Sequence, residues 1–287
     1  MEYILITGAS TGIGYATAQH LIQNGYFVFG SVRKQEDAQK LETDFKVNFK
    51  ALIFDVADSE AIHNAKVEVE KIIGDNNLKG LINNAGIVAH GPLQHIPMEE
   101  FKYQFEVNVF GILRVTQAFL PLLGASQERK SKPGKIINIS SVSGIFTTPF
   151  IVPYCASKAS VESLTDGLRR ELLMFGIDAI SIRPGPIKTP IWKKAISTNN
   201  RYSETDYGAI YEKTNKLISK TEANAIPPIK VAKLIHKILV KNKPKTKYII
   251  MKNSLGVRFA RLLPSRWADG IFKKQMNKIL NLRSKNL

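Results

Sequence analysis

The chain has 287 residues, of which 44% are hydrophobic and 23% are charged, and this balance is typical of a folded protein with a substantial core. Its single cysteine, Cys155, excludes an internal disulfide framework and favours a reducing, cytoplasmic compartment. No apolar run approaches the ~20 residues of a membrane-spanning helix. Strand-like sequence begins at Tyr3, so we expect no signal peptide. The five histidines show no metal-ligand spacing, which predicts that no metal is bound.

The net charge of +17 is concentrated toward the end of the chain. Residues 228–287 contain 16 lysines and arginines but one acid, Asp269, whereas basic and acidic residues almost balance in the part before them. This distribution predicts a nearly neutral body that is followed by a basic C-terminal extension, which we delimit as residues 252–287.

Strand-like and helix-like segments alternate from the first residues onward. Short apolar runs predict strands at residues 3–7, 26–32, 49–54, 80–83, 135–139, 177–182 and 248–251. Helical periodicity predicts a helix that ends near residue 24 and further helices at residues 35–45, 59–73, 98–123, 154–175 and 229–240. Because each strand is almost wholly apolar, we expect an α/β fold with a parallel sheet covered by helices on both faces. We find no repeat and no linker, so residues 1–287 are interpreted as one domain.

A glycine-rich segment follows the first predicted strand. Gly8, Gly12 and Gly14 would permit a tight turn and a close approach of the backbone to a dinucleotide pyrophosphate at the start of a helix. Their G-x-x-x-G-x-G spacing is a variant of the usual G-x-G-x-x-G fingerprint. Taken alone, the segment is also compatible with an ordinary turn between a strand and a helix.

A tyrosine and a lysine are spaced by one helical turn at Tyr154 and Lys158. This spacing places both side chains on one face of a helix. The ammonium group would favour the phenolate and lower the pKa of the tyrosine, which would give a proton donor suited to general acid catalysis. The structural alternative is an amphipathic helix with a lysine that reaches into solvent.

These segments belong to an ordered set that resembles the motifs of the short-chain dehydrogenase/reductase family. The set comprises TGASTGIG at residues 7–14, NNAG at residues 83–86, Asn108, Ser141, Tyr154 with Lys158, and Pro184-Gly185. The resemblance covers residues 3–189 and implies a Rossmann-type, doubly wound sheet of seven strands. It implies that Tyr154 is the catalytic acid/base and that Lys158 lowers its pKa and holds the nicotinamide ribose. It further implies that Ser141 binds the substrate carbonyl and that Asn108 organises a proton relay through Lys158.

The resemblance also selects between two adjacent serines. The family places its serine 13 residues before the tyrosine, which selects Ser141 and leaves Ser140 a structural role. Both Ser141 and Tyr154 would then donate hydrogen bonds to an oxygen that becomes negatively charged during hydride transfer.

The end of the second predicted strand bears on the choice of cofactor. An acid there would bind the ribose 2′-hydroxyl of NAD, whereas an arginine accommodates the 2′-phosphate of NADP. Val32 is not acidic and Arg33 follows it, so we expect NADP(H), with NAD(H) less favoured and a solvated arginine as the structural alternative. By the resemblance, the cofactor-binding residues are Gly8, Ser10, Thr11, Gly12, Ile13, Gly14, Arg33, Asp55, Val56, Asn83, Ala85, Gly86, Tyr154, Lys158, Pro184, Gly185, Ile187 and Thr189. Within this set it implies adenine contacts from Asp55 and Val56, adenosine-side contacts from Asn83, Ala85 and Gly86, and carboxamide contacts from Ile187 and Thr189.

The segment at residues 191–226 corresponds to the substrate lid of this family. It contains Trp192, Tyr202, Tyr207 and Tyr211, an aromatic supply that favours a lipophilic substrate, although such rings also serve to pack a lid. The short-chain core and the basic tail together show a loose similarity to the retinol and hydroxysteroid dehydrogenase branch.

The basic tail ends in a second amphipathic pattern. Apolar residues recur near helical spacing between residues 266 and 282, and lysines lie among them. Such a helix is typical of attachment to an anionic membrane surface, and we assign this attachment to residues 265–287. The alternative is a C-terminal helix that docks on its own domain. We expect no specific nucleic-acid partner.

The sequence therefore predicts an NADP(H)-dependent enzyme that interconverts a carbonyl and an alcohol on a lipophilic, retinoid-, steroid- or lipid-like substrate. One alternative is a 3-oxoacyl-carrier-protein reductase, for which a basic face would also be suitable. A second is a non-catalytic protein that senses NADP or binds nucleic acid, and the intact set of Ser141, Tyr154 and Lys158 argues against it. A homodimer or homotetramer that pairs through the helices around Asn108 and Tyr154 is expected from the resemblance.

Overall fold

The computed structural model describes residues 1–126, 131–190, 199–208, 210, 225–252 and 264–280. Its strands are β1 (Glu2–Ile6), β2 (Tyr26–Val32), β3 (Phe49–Ile53), β4 (Leu78–Asn83), β5 (Lys135–Ile139), β6 (Asp178–Pro184) and β7 (Lys247–Ile250). Its α-helices are α1 (Gly12–Gln23), α2 (Gln35–Phe45), α3 (Ser59–Ile73), α4 (Met98–Phe105), α5 (Gly111–Phe119), α6 (Val152–Glu171), α7 (Ile229–Val240) and α8 (Ser265–Leu280). A π-helical turn lies at Glu106–Phe110, and 3-10 turns lie at Pro121–Leu123, Val142–Gly144, Leu172–Phe175 and Asn199–Tyr202.

The seven strands form one sheet in the order β3-β2-β1-β4-β5-β6-β7, and every neighbouring pair is parallel. The chain runs from β1 to the edge at β3 and then returns to form β4 on the other side of β1. This reversal opens a crevice beyond the carboxyl ends of β1 and β4, where doubly wound sheets bind ligands. The predicted α/β class, Rossmann-type topology and strand number are confirmed.

Apolar side chains cover both faces of the sheet because successive residues of a strand alternate between its faces. On one face Ile4 and Ile6 of β1 pack with residues of α1, α2 and α7. On the other face Leu5 packs with residues of α3 and α5. All three side chains are fully buried. The carboxyl edge of the sheet is therefore a rigid platform for the residues that follow each strand.

Several elements have the bounds that the sequence predicts, namely β2, β5, α2, α3 and α7. The start of α3 shows why local sequence was sufficient there. The Asp58 carboxylate accepts hydrogen bonds from the backbone N–H groups of Glu60 and Ala61, each at 3.0 Å, and so caps the helix. The helix ends at Gly74, whose φ of +57° terminates the helical geometry.

The predicted helical course at residues 98–123 is present, but it is not one regular α-helix. The chain instead forms α4, the π-helical turn, α5 and a 3-10 turn in succession. At the start of α5, a Cβ on Gly111 would lie 2.7 Å from Cγ2 of Val56. Only glycine, which has no Cβ, therefore allows the helix to approach the segment after β3 this closely. The π-helical turn immediately precedes this close contact. The helix that carries Tyr154 also begins earlier than predicted, at Val152.

The predicted C-terminal helix is present as α8. The Phe272 ring stacks on Phe146 with centroids 6.0 Å apart and planes inclined by 30°, so α8 rests on the loop between β5 and α6. Among the residues described, no helix combines the length and the apolar character that crossing a membrane requires. The same part of the chain holds no group of three or more His, Cys, Asp or Glu side chains arranged to bind a metal. Most of the predicted lid at residues 191–226 lies outside the described residues.

Candidate active site

The glycine-rich loop lies at the crevice between β1 and β4. Gly8 and Gly12 have φ angles of +67° and +59°, which glycine adopts without strain. The Asn84 side-chain amide donates hydrogen bonds to the carbonyl oxygens of Thr7 and Gly8, each at 2.9 Å. The Thr7 hydroxyl in turn accepts from the backbone N–H groups of Asn84 and Ala85. The segment after β4 therefore holds the loop in one shape.

The loop and the start of α1 fit a dinucleotide pyrophosphate. A Cβ on Gly12 would lie 2.9 Å from Cγ2 of Thr189, and a Cβ on Gly14 would lie 2.1 Å from the carbonyl oxygen of Gly8, so side chains would fill the space between these segments. Thr11 precedes α1 without a side-chain capping hydrogen bond, and the first turn contains no acid. The N–H groups of that turn and the positive end of the helix are thus suited to a phosphate.

The ends of β2 and β3 bring together the residues expected at the adenosine end of the cofactor. Arg33 and Asp55 form an ion pair with 3.8 Å between Nη1 and Oδ2, and the Arg33 side chain is 59% exposed. The Ser31 hydroxyl accepts a hydrogen bond from the backbone N–H of Gly8 at 3.2 Å, which ties β2 to the glycine-rich loop. An exposed guanidinium beside the loop is the arrangement that a 2′-phosphate requires.

Ser141, Tyr154 and Lys158 meet at the carboxyl end of β5. The Ser141 hydroxyl, which accepts a hydrogen bond from the backbone N–H of Ser143 at 3.0 Å, lies near Tyr154, in the first turn of α6. One turn later, Lys158 Nζ lies 5.7 Å from the centroid of the Tyr154 ring. It donates a hydrogen bond to the carbonyl oxygen of Ile139 at 2.7 Å. The structure therefore brings the three predicted residues together.

Burial governs the acidity of this set. It raises the pKa of the Tyr154 phenol above its ordinary value, and the hydrogen bond from Ser141 opposes that rise. Burial also lowers the pKa of the Lys158 ammonium to about 8, because surroundings of low polarity disfavour the charged form. Burial is therefore the dominant influence on the pKa of Tyr154 in this structure, and the lowering of that pKa by Lys158 stays a prediction.

Glu162 and Arg183 form a buried ion pair one helical turn from Lys158, and the sequence did not predict it. Glu162, one turn further along α6, accepts hydrogen bonds from Arg183 at 2.5 Å and from the Ser181 hydroxyl at 3.0 Å. The side chains of Arg183 and Glu162 are only 8% and 10% exposed. Burial alone would raise the pKa of Glu162, but hydrogen bonds from Arg183, Ser140 and Ser181 hold it below its usual value. The resulting negative charge raises the pKa of Lys158 against the effect of burial. Ser140 is thus a structural partner of this pair.

Asn108 lies in the π-helical turn and is fully buried. Its side-chain oxygen accepts from the backbone N–H of Ile87 at 2.9 Å, and its amide nitrogen donates to the Ile87 carbonyl at 3.0 Å and to the Ser157 hydroxyl at 3.2 Å. Gly86 lies between Asn108 and Lys158, because a Cβ there would be 3.2 Å from Asn108 Oδ1 and 3.8 Å from Lys158 Nζ. Such π-helical turns are frequent at functional sites. The proton relay remains a prediction.

The Asn83 side chain does not face the crevice, and a contact of its backbone with the adenosine side stays a prediction. It is 1% exposed, and its amide donates to Asn138 Oδ1 at 2.9 Å and to the Thr116 hydroxyl at 3.1 Å, between the sheet and α5. The next residue, Asn84, makes the contacts with the glycine-rich loop. The NNAG pattern signalled the right segment but could not distinguish the two asparagines.

The segment after β6 closes over the crevice toward the glycine-rich loop. A Cβ on Gly185 would lie 2.7 Å from Cβ of Met251, so glycine allows the chain to pass close to the end of β7. Ile187 is buried and pairs with Ile226 in an isolated parallel bridge. Thr189 then reaches Gly12, as described above. The residues expected near the nicotinamide carboxamide therefore lie beside the loop expected to hold the pyrophosphate.

Aromatic side chains from the described part of the lid surround the loop after Ser141. The Tyr207 ring lies edge-on to Phe150 and to His95, with centroids 5.9 Å apart in both pairs. Tyr202 is 3% exposed, and a Cβ on Gly91 would lie 2.6 Å from its Cε2. These contacts form an aromatic wall between the described part of the lid and the loops that follow β4 and precede α6. Two aromatic residues of the predicted lid lie outside the described residues, namely Trp192 and Tyr211.

A family model described as short chain dehydrogenase matches residues 2–200 of the chain. The matched range contains the glycine-rich loop, Asn108, Ser141, Tyr154 and Lys158. It also extends through β6 to the start of the lid.

Two relatives and one solved structure match over most of the chain. The NADPH-dependent 3-dehydrocapnine reductase of Ornithobacterium rhinotracheale is 43% identical over 280 residues, which cover 97% of this chain and 99% of that protein. A 3-ketodihydrosphingosine reductase of Bacteroides thetaiotaomicron is 35% identical over 244 residues, which cover 85% of each chain. An actinorhodin polyketide ketoreductase solved with NADPH has 26% identity and a TM-score of 0.74, covering 87% of this chain and 95% of that one. The similarity therefore spans the fold and is not limited to the motifs.

Proposed function

This chain belongs to the short-chain dehydrogenase family, and from that premise we propose that it reduces a lipophilic ketone with Tyr154 as the proton donor. The family model and the relatives support a more general statement, that the chain is an NADP(H)-dependent oxidoreductase that interconverts carbonyl and alcohol groups. The finer proposal depends above all on one observation, that Tyr154 and Lys158 lie together at the carboxyl edge of the sheet, with 5.7 Å between Lys158 Nζ and the centroid of the Tyr154 ring.

The chemistry is divided between the cofactor and the chain. When bound, NADP(H) supplies or accepts the hydride. The Ser141 and Tyr154 hydroxyls donate hydrogen bonds to the carbonyl oxygen, and Tyr154 gives up its proton as that oxygen gains negative charge. Because burial raises the pKa of Tyr154, the phenol is protonated at neutral pH. A protonated phenol is the form that reduction needs.

Two basic residues complete the assignment. Lys158 carries a positive charge below its pKa of about 8 and lies one turn from Tyr154. We propose that Lys158 binds the nicotinamide ribose. We also propose that it stabilises the Tyr154 phenolate that remains after proton transfer, since a nearby cation stabilises that anion. We assign Arg33, which is exposed beside the glycine-rich loop, to the 2′-phosphate.

The names of the two relatives and the aromatic wall support a lipid as substrate. Both names, 3-dehydrocapnine reductase and 3-ketodihydrosphingosine reductase, denote a ketone at carbon 3. In the aromatic wall Tyr202 is buried, whereas Phe150 and Tyr207 are partly exposed and offer apolar surface. We therefore propose a lipid ketone of this kind in place of a small polar one.

The test measures NADPH oxidation by the purified chain with 3-ketodihydrosphingosine, 3-dehydrocapnine and a steroid ketone. Turnover of at least one of them is expected. Tyr154→Phe should lower kcat by about 10²- to 10⁴-fold, the usual contribution of a positioned acid, while NADPH binding stays within about twofold because the ring remains. Tyr103→Phe, which alters an exposed tyrosine, is the matched control and should retain activity. A nearly unchanged rate for Tyr154→Phe would refute the assignment.

A 3-oxoacyl-carrier-protein reductase is the second candidate, favoured by the basic C-terminal part of the chain. Sixteen basic residues against one acid in residues 228–287 would attract an acidic carrier. The same absorbance assay discriminates the two functions when it includes 3-oxoacyl groups on carrier protein. Turnover of carrier-bound substrates alone would replace the lipid-ketone proposal with this one.

A further inference from the structure

Helix α8 has two apolar faces, and the fold covers one of them. Ala268, Phe272 and Met276 recur at intervals of four and are partly buried, and Phe272 stacks on Phe146. Trp267 and Ile271, also four residues apart, point away from that face, with 68% and 59% of their surfaces exposed. The helix therefore docks on its own domain through one stripe and presents a second stripe to solvent.

The exposed stripe is surrounded by positive charge. Lys274 follows Ile271 by three residues and lies on the same side of the helix, while Arg266 and Lys273 flank it, and all three are exposed. Single exposed apolar side chains are ordinary on protein surfaces. A tryptophan and an isoleucine that are adjacent on one helix face and bordered by cations form the pattern of an interfacial helix instead.

Charge favours a lipid surface over the other occupants. A second copy of this chain would bring two basic surfaces together, which like-charge repulsion opposes. Nucleic acid would pair with the cations through phosphate but offers the Trp267 and Ile271 side chains no hydrocarbon in which to be buried. An anionic bilayer can bind the cationic side chains and the apolar pair together, because lysine and arginine contact the headgroups while Trp267 and Ile271 enter the acyl boundary.

We propose that α8 docks the protein on an anionic membrane surface through Trp267 and Ile271 with the flanking Arg266, Lys273 and Lys274. Phe146, on which α8 rests, belongs to the turn that Ser141 begins, since its backbone N–H donates to the Val142 carbonyl at 3.0 Å. Docking through α8 therefore holds the Ser141 loop close to the bilayer. The docking itself does not depend on the proposed function, whereas delivery of a lipid ketone to this loop does.

The first test uses the full chain with Trp192→Phe, which leaves Trp267 as the only tryptophan. Vesicles of phosphatidylcholine with phosphatidylserine should float the protein and shift the Trp267 emission to shorter wavelength, and added salt should weaken both effects. Vesicles of phosphatidylcholine alone should bind at least about tenfold less, because each nearby cation contributes to binding only with anionic lipid. Equal behaviour with both vesicles, or no shift with either, would overturn the proposal.

A matched pair of double variants separates the docking stripe from general charge effects. Trp267→Glu with Ile271→Glu should weaken vesicle binding by about tenfold or more, since two apolar side chains no longer enter the membrane. Leu173→Glu with Met174→Glu makes the same charge change at two residues that are also exposed, and should bind like the wild type. Both variants should keep activity toward a water-soluble ketone. Equal binding by both variants, or retention on DNA in place of vesicles, would overturn the assignment of this stripe to membrane.

Discussion

Glu162 is a positioning residue that sets the charge of Lys158. Its carboxylate raises the pKa of the Lys158 ammonium, which burial holds at about 8. In Glu162→Gln this support is lost, so the pKa of Lys158 falls further and the lysine becomes neutral at a lower pH. Because the cation aids Tyr154, we expect the high-pH fall of kcat/KM to begin at lower pH, with activity at pH 6 kept within about twofold.

The measurement is a full pH–rate profile of Glu162→Gln beside Glu171→Gln, which changes an exposed acid at the end of the same helix. The control profile should overlay the wild type. Glu162→Gln also leaves Arg183 without its buried partner, so thermal unfolding is recorded to separate stability from activity. A uniform loss of rate at every pH would show that Glu162 acts only by supporting the structure.

Arg33 should decide between the two nicotinamide cofactors. It is exposed at the end of β2 and 3.8 Å from Asp55, so Arg33→Asp would place two carboxylates where the 2′-phosphate binds. We expect NADPH to bind about 10- to 100-fold more weakly, while NADH binding changes little. Lys34→Asp makes the same charge change at the next exposed residue and should leave the preference for NADPH intact. Equal losses for both cofactors in Arg33→Asp would refute the phosphate contact.

At the scale of elements, the sequence predicted the helix bounds that depend on local burial. It did not predict the features that depend on contacts between distant residues. The bounds of α2, α3 and α7 were predictable because one apolar stripe and its caps define each helix. The π-helical turn between α4 and α5 was not predictable, since it immediately precedes the close approach of Gly111 to Val56, which belongs to a different part of the chain. Asn84 was not assigned for the same reason, because its partners at Thr7 and Gly8 are more than 70 residues away.

The contact between α1 and α7 contains a pair of histidines that should make stability depend on pH. His20 and His236 approach to 3.4 Å between ring nitrogens. Burial, and then the charges of His236 and Lys233, lower the pKa of His20 below its ordinary value of 6.5. Below that value the unfolded chain binds a proton that the folded chain resists, so the free energy of unfolding falls as the pH falls through this range.

His20→Gln should therefore reduce the loss of unfolding free energy between pH 7 and pH 5. Unfolding in urea at the two pH values measures this loss. His63→Gln is the control, because His63 is exposed on α3. That variant should lose as much stability as the wild type over the same interval. An unchanged pH dependence in His20→Gln would show that other groups cause it.

At the scale of the whole molecule, we expect two exposed aromatic rings to lie in a surface that pairs with a second copy. Tyr103 in α4 and Phe110 in the π-helical turn expose 46% and 48% of their surfaces, next to the buried Asn108. Exposed rings about two helical turns apart would stabilise an isologous interface by burying apolar area on both copies. We therefore expect a wild-type mass at least twice the 32.0 kDa of one chain in size-exclusion chromatography with light scattering.

Phe110→Asp should shift this assembly toward a single chain, because each copy would bury a carboxylate at the symmetric interface and that burial is unfavourable without a partner. Leu173→Asp makes the same kind of change at a residue that is 70% exposed after α6, away from these rings, and should retain the wild-type mass. The two variants differ only in which apolar side chain they remove. A wild type that elutes as one chain, or an assembly that Phe110→Asp leaves intact, would rule out pairing through α4 and the π-helical turn. In the latter case the exposed rings would lie outside whatever interface holds the copies together.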